Sequence, residues 1–153
     1  MAGPYLNQGA FSTRVTANDT TQQEQLGVWR FEAGKILRYV RAAALIPAGE
    51  PCTADATITT AAWIGHNVLQ TSAVTNTFFG IAETTLASGS FGWVTLYGPA
   101  TARVDTNLIP GSPLGPSVTT GVLTIRNTSH FNAAAIALQT GLSAGSAIFV
   151  SVL

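Results

Sequence analysis

The chain has 153 residues, of which 46% are hydrophobic and only 9% are charged, with seven basic and seven acidic side chains. This length suits one domain with its own core, and the hydrophobic content excludes an intrinsically disordered chain. A net charge of zero gives no basic face for nucleic-acid phosphates, and the apolar runs are too short to cross a membrane. So few charges indicate that sister subunits or a larger partner cover part of the surface, although a neutral surface rich in Thr and Gly is the alternative.

The first 27 residues differ in composition from the rest of the chain. The segment 16–25 is almost wholly polar, so it cannot bury a face of its own. We therefore expect residues 1–27 to form an extended N-terminal arm that packs little against its own domain. The first eight residues lack a basic stretch followed by an apolar one, so no secretory signal is expected there.

From residue 28 onward, short apolar runs alternate with turns that contain Gly and Pro. This spacing, together with the many Thr and Val residues, predicts an all-β domain over 28–153, either a compact β-barrel or a β-sandwich. The runs lie at 28–31, 36–46, 63–69, 78–82, 91–97, 122–125 and 147–153.

Two segments, 79–96 and 134–152, resemble each other. Ile81 and Ala82 match Ile136 and Ala137, and each segment continues through a Gly-Ser pair into a run that is apolar at alternate positions. This pattern predicts an internal strand-turn-strand repeat, with a strand at 134–138. Chance similarity in a chain rich in Ala, Gly and Thr is the alternative, and the composition of 133–138 would also suit a helix.

The segment 99–120 is rich in Pro and Gly, with three prolines and two glycines between residues 109 and 116. Because proline cannot donate a ladder hydrogen bond, we expect an irregular loop that offers a contact surface.

The C-terminal third is almost uncharged, since Arg126 is the only charged residue after Asp105. The final run, 147–153, is apolar on both faces and would promote aggregation as a free edge strand. We expect it to be covered by its own domain or by other subunits, which favours a homo-oligomer.

The sequence shows no pattern typical of an enzyme. Cys52 is the only cysteine, which excludes an intramolecular disulfide, and the two histidines, His66 and His130, are far apart in the chain. There is no nucleophile elbow, metal-ligand spacing or phosphate-binding glycine motif, so we expect no enzymatic activity, cofactor or metal. A triad or a carboxylate pair assembled from distant residues remains open at this stage.

Four of the seven basic residues fall between 30 and 41, with Glu32 among them, which favours a solvated strand face or an interface over nucleic-acid binding. In the run 91–97, aromatic side chains alternate with Val94 and Leu96, so both faces of that strand are apolar and must be covered. The covering layer is either the same chain or a neighbouring subunit. The candidate interface residues are Arg38, Arg41, Phe91, Trp93, Tyr97 and Phe149.

Two stretches resemble a known family. The sequence GKILRYVRAAA at 34–44, followed by IPAG at 46–49, resembles a segment that is common in small virion proteins of tailed phages. The sequences GIA at 80–82 and GSFGWVTLYGPA at 89–100 resemble the second half of the same proteins. The likeness covers about residues 28–105, and Leu37 stands where those proteins often have an aromatic residue.

This resemblance implies a head decoration, or capsid-cementing, protein, which is typically β-rich, often trimeric and seated where capsid subunits meet. The implied partner is the major capsid protein, and the implied location is the capsid surface of the virion after assembly in the host cytoplasm. The alternative is a tail or receptor-binding module with a carbohydrate-binding β-domain that uses Trp63 or Trp93.

Overall fold

The computed structural model describes residues 11–73, 76–104, 108–126, 135–139 and 144–152. These residues form ten β-strands and one short 3-10 turn at Ala61–Trp63, which confirms the predicted all-β class. The strands are β1 Trp29–Glu32, β2 Lys35–Ala42, β3 Pro51–Ala54, β4 Asn67–Gln70, β5 Phe78–Ala82, β6 Phe91–Arg103, β7 Pro113–Pro116, β8 Leu123–Ile125, β9 Ala135–Ala137 and β10 Ala144–Ser151.

Five strands close into a barrel in the order β2, β4, β3, β5 and β6, and β6 pairs back with β2. The β2–β4 pair is parallel, and the other pairs are antiparallel. Alternate residues of each strand point into the closed barrel, and these inward side chains are apolar. The interior consists of Val40, Ala42, Ile46, Cys52, Val68, Ala82, Leu86, Val94 and Leu96.

A side sheet continues from the barrel. Strand β6 has 13 residues, and its second half pairs with β10, beyond which β9, β7 and β8 follow in order. A second core lies beneath this sheet and includes Ala102, Leu114, Leu123, Ile148 and Val150. The strand order of the whole sheet begins at β1 and ends at β8.

The prediction of an irregular loop over 99–120 is wrong at two places, where the chain forms strands. Pro99 lies inside β6, where Arg103, four residues later and pointing to the same edge, donates its amide to the Gly49 carbonyl at 3.0 Å. The Pro99 nitrogen therefore points away from β10, and β2 pairs with β6 only as far as Tyr97. The missing N–H thus falls where neither neighbouring strand needs a donor.

The second exception is β7, which begins and ends with proline. Pro113 and Pro116 flank Leu114 and Gly115, and the strand pairs with both β8 and β9. Pro113 takes part through its carbonyl, which accepts the Arg126 amide at 2.8 Å. Proline is tolerated at strand ends because its carbonyl can still accept a ladder bond.

Both segments of the suggested repeat form antiparallel hairpins. Ile81 of β5 lies opposite Thr95 of β6, and Ile136 of β9 lies opposite Phe149 of β10. Residues 135–137 are therefore in a strand and not in a helix. The sequence match would place Ser151 opposite Ile136, two residues from the observed partner, so the two hairpins differ in register.

The expectation that the N-terminal arm packs little against its domain is wrong for residues 11–27. Asp19 exchanges two main-chain hydrogen bonds with Phe91, at 2.8 and 2.9 Å, and Leu26 is buried. The apolar side chains of this segment that pack against the barrel include Phe11, Val15 and Leu26, and all three lie outside the polar run 16–25. Composition missed this contact because main-chain bonds and a few apolar residues provide it. Residues 1–10 lie outside the described part of the chain.

Candidate interaction surface

Two of the six candidate interface residues belong to the core. Trp93 is fully buried and Phe91 nearly so, because residues 11–27 cover this side of the barrel. The Trp93 ring centroid lies 5.1 Å from that of Tyr39 and 5.2 Å from that of Phe11. The predicted interface position of Phe91 and Trp93 is therefore corrected to an internal one, with the chain's own arm as the covering layer.

Arg41 is held in a polar network within the chain. Its guanidinium lies over the Trp63 ring at 4.0 Å and donates to Asn67 Oδ1 at 2.9 Å. Asn67 in turn donates to Asp55 at 2.8 Å. Hydrogen bonds from the hydroxyl and the amide of Thr57 hold the pKa of Asp55 below its ordinary value. The half-buried Arg41 therefore orders the loop before β4.

Arg38 is stacked over the Phe79 ring at 5.1 Å, and its Nη2 lies 3.0 Å from Nδ1 of His66. Its Nε is buried and has no hydrogen-bond partner among the described residues. Burial lowers the pKa of Arg38. Burial, and then the charge of Arg38, lower the pKa of His66, so the neutral imidazole is favoured as an acceptor.

The other two candidates, Tyr97 and Phe149, lie together on the outer surface. Their ring centroids are 5.0 Å apart in an edge-to-face arrangement, and Tyr97 is 38% exposed. Tyr97 lies opposite Ile36, which in turn lies opposite Phe31 on β1. Phe149 lies opposite Ile136 on β9.

These side chains form one apolar strip across five strands. Its members, hereafter the apolar strip, are Phe31, Ile36, Tyr97, Phe149 and Ile136. Phe31 is 66% exposed and Ile136 is 45% exposed. Contiguous exposed apolar surface of this kind is typical of protein–protein contact sites. The sequence pattern indicates Tyr97 and Phe149 but not Phe31, for which the alternation with Arg30 and Glu32 was the available signal.

Metal ligands and cavity charges are the features of the described residues that bear on a chemical function. These residues contain no group of three Asp, Glu, His or Cys side chains that could hold a metal ion. A shallow cavity of about 290 Å³ is lined by Lys35, Glu83 and Arg103, among others. Its charges are already paired, Lys35 with Glu83 at 2.8 Å and Arg103 with Glu50 at 2.5 Å. No helix within the described ranges is long and apolar enough to cross a membrane.

The class defined by these strands is a closed five-stranded barrel with an antiparallel side sheet. No family model matches the sequence, and no curated protein matches it. Among solved structures, the fold is similar to the head fiber gp8.5 N base of bacteriophage phi29, with a TM-score of 0.52. The match has 11% sequence identity and covers 75% of this chain and 92% of that chain, so it shows a common fold.

Proposed function

We propose that this protein is a non-enzymatic structural component of a tailed-phage virion, which decorates and stabilises the head by binding across capsid subunits. The observation that carries the proposal is the fold shared with a phage head fiber base. The sequence resemblance at 34–44, 46–49, 80–82 and 89–100 also supports it, and most of these residues lie in β2, β5 and β6 of the barrel. The exposed apolar strip supports a role in protein contact.

The mechanism is mechanical. The barrel and residues 11–27 form one hydrogen-bonded unit, and ion pairs within the chain engage Lys35, Arg103 and Arg30. A surface of this kind offers few free charges to a partner, so contact with the capsid depends on shape and on apolar and neutral polar groups. We therefore expect capsid binding to change little between low and physiological salt.

The carbohydrate-binding alternative gains no support from the two tryptophans that suggested it. Trp93 is fully buried, and Trp63 is partly buried, packed against the cluster around Tyr39 and with Arg41 over its ring at 4.0 Å. A sugar platform needs an open aromatic face, so neither side chain favours a tail or receptor-binding module over head decoration.

The test is the position of the protein on the particle. Gold-labelled antibody against this protein should mark the heads of purified virions in negative-stain images, and particles from a phage that lacks the gene should stay unlabelled. Purified protein added to those unlabelled particles should co-sediment with them and saturate. Labelling confined to the tail tip, or no co-sedimentation, would contradict head decoration.

A further inference from the structure

Strand β1 is a free edge with outward-facing main-chain groups. Among the described strands it pairs only with β2. The Val28 carbonyl accepts the Tyr39 amide at 3.1 Å. The main-chain N–H and C=O groups of Val28, Arg30 and Glu32 therefore point toward β2. Because hydrogen-bonding direction alternates along an antiparallel strand, the N–H and C=O groups of Trp29 and Phe31 point away from the sheet.

The exposed side chains of this edge are largely apolar. Natural edge strands are commonly protected by short length, charged side chains, Pro or a bulge; β1 has four residues and two charges, but it exposes Trp29 at 45% and Phe31 at 66%. The two-residue turn, Ala33-Gly34, has φ angles of 50° and 76°, as the tight hairpin turn requires, and it sets the antiparallel register of β1 with β2. The edge is therefore presented in an extended form.

The charges of β1 indicate which partner fits. Arg30 and Glu32 flank Phe31 at equal distance and carry opposite signs. An antiparallel strand related by a two-fold axis through Phe31 places each Arg30 opposite the Glu32 of the other strand. Arg30 bonds Thr13 O at 2.7 Å and its own Glu32, which leaves further guanidinium donors. The Glu32 side chain is half exposed and can accept from both arginines.

We propose that β1 pairs antiparallel with β1 of a second copy of this chain, about a two-fold axis through Phe31. The pairing satisfies the outward main-chain groups of Phe31, buries the two Phe31 rings against each other and forms two cross-strand ion pairs. It also covers the β1 end of the apolar strip. A two-fold contact gives even-numbered assemblies, in contrast to the trimer implied by the sequence resemblance.

Sedimentation velocity of the full chain over a dilution series tests the proposal. The wild type should dimerise, and Phe31→Asp should weaken dimerisation by at least about tenfold, since it places two carboxylates face to face. Ile109→Asp is the matched control, because Ile109 is also 66% exposed but lies outside the sheet edge. A monomeric or trimeric wild type, or equal effects of the two substitutions, would overturn the proposal.

Cysteine cross-linking tests the register. Two Phe31→Cys chains would have their Cα atoms about 5.5 Å apart, which suits a disulfide, whereas two Trp29→Cys chains would be more than about 13 Å apart. Oxidation should link the first variant and leave the second unlinked. Native Cys52 is buried and does not compete. Equal linking of both variants, or none of either, would overturn the two-fold register.

This inference does not rest on the proposed function, and the two can fail separately. A wild-type monomer that co-sediments with virions would refute the edge pairing and leave head decoration standing. A dimer of the expected register that never binds virions would refute head decoration alone.

Discussion

The hydroxyl of Thr13 accepts a hydrogen bond from the indole nitrogen of Trp93 at 3.0 Å, across 80 residues of sequence. This bond joins the N-terminal segment to the first part of the barrel's longest strand, where Trp93 is fully buried. A buried indole N–H left without an acceptor costs about 1–3 kcal/mol.

We therefore expect Thr13→Val to lower the free energy of unfolding by about that amount. Urea denaturation followed by tryptophan fluorescence measures it. Thr16→Val is the matched control, because Thr16 is exposed, and it should have little effect. Equal stability of the two variants would mean that the bond between Thr13 and Trp93 contributes nothing to stability.

Gly121 approaches a buried carboxylate. It has a φ of 71°, and a Cβ placed there would lie within 2.5 Å of the Glu50 carboxyl carbon. Gly111, with a φ of 84°, has no atom within 4 Å of such a Cβ. We expect Gly111→Ala to cost about 1–2 kcal/mol for the left-handed backbone alone, and Gly121→Ala to cost distinctly more. Thermal melts of both variants measure the difference, and equal costs would show that Glu50 yields freely.

His66 should make stability depend on pH. Its folded-state pKa is lowered from 6.5 by burial and by the Arg38 charge, so the unfolded chain takes up its proton first as pH falls. The contribution of neutral His66 to the free energy of unfolding is therefore complete above pH 6.5, and it is lost as pH falls from there through the folded-state pKa. We expect His66→Gln to flatten the pH dependence of the urea midpoint over that window. A wild-type midpoint independent of pH there would contradict the lowered pKa.

Cys52 should be chemically inert in the native protein. It lies inside the barrel, and burial raises the pKa of its thiol to about 12, so almost no thiolate forms near neutral pH. We expect a thiol reagent to leave the folded chain unlabelled at pH 8 and to label one thiol in denaturant. An Ile109→Cys variant should react rapidly under native conditions, because residue 109 is 66% exposed and lies outside the sheet edge. Fast labelling of the wild type would indicate that the barrel opens.

The sequence was informative where local pattern decides structure. Period-two runs and Gly/Pro punctuation predicted the all-β class, and the alternation over 91–97 predicted a strand covered on both faces. Which layer covers that strand depends on a contact between Thr13 and Trp93, and no local pattern reports a contact so distant in sequence. The prolines at 99, 113 and 116 misled for the opposite reason, because Pro99 faces no strand that needs its donor, and Pro113 and Pro116 stand at the two ends of β7.

The interface was harder to predict than the fold. Tyr97 and Phe149 were identified as apolar residues on strands, but their exposure depends on where residues 11–27 end their coverage of the barrel. Phe31 was missed because a four-residue strand of mixed polarity becomes an exposed edge only once the sheet order is known. Residue type therefore locates candidates, and topology decides which of them can meet a partner.

The C-terminal strand gives the last prediction. β10 lies between β6 and β9, so it is an interior strand and not an edge. Ile148 is fully buried in the core under the side sheet, whereas Phe149 faces the other way and is half-buried against Tyr97. Removing residues 148–153 would take away the middle of this sheet, and we expect that truncation to abolish soluble expression.

Point substitutions separate the two faces of β10. Ile148→Ala should lower the free energy of unfolding by about 2–5 kcal/mol, because the cavity it leaves lies in a closed core. Phe149→Ala should cost less in stability, since its ring is partly solvated and leaves no closed cavity. Chemical denaturation of the two variants measures this difference. If Phe149→Ala proved the more damaging, the outer face would be the better packed one, and the apolar strip would be part of the core instead of a contact surface.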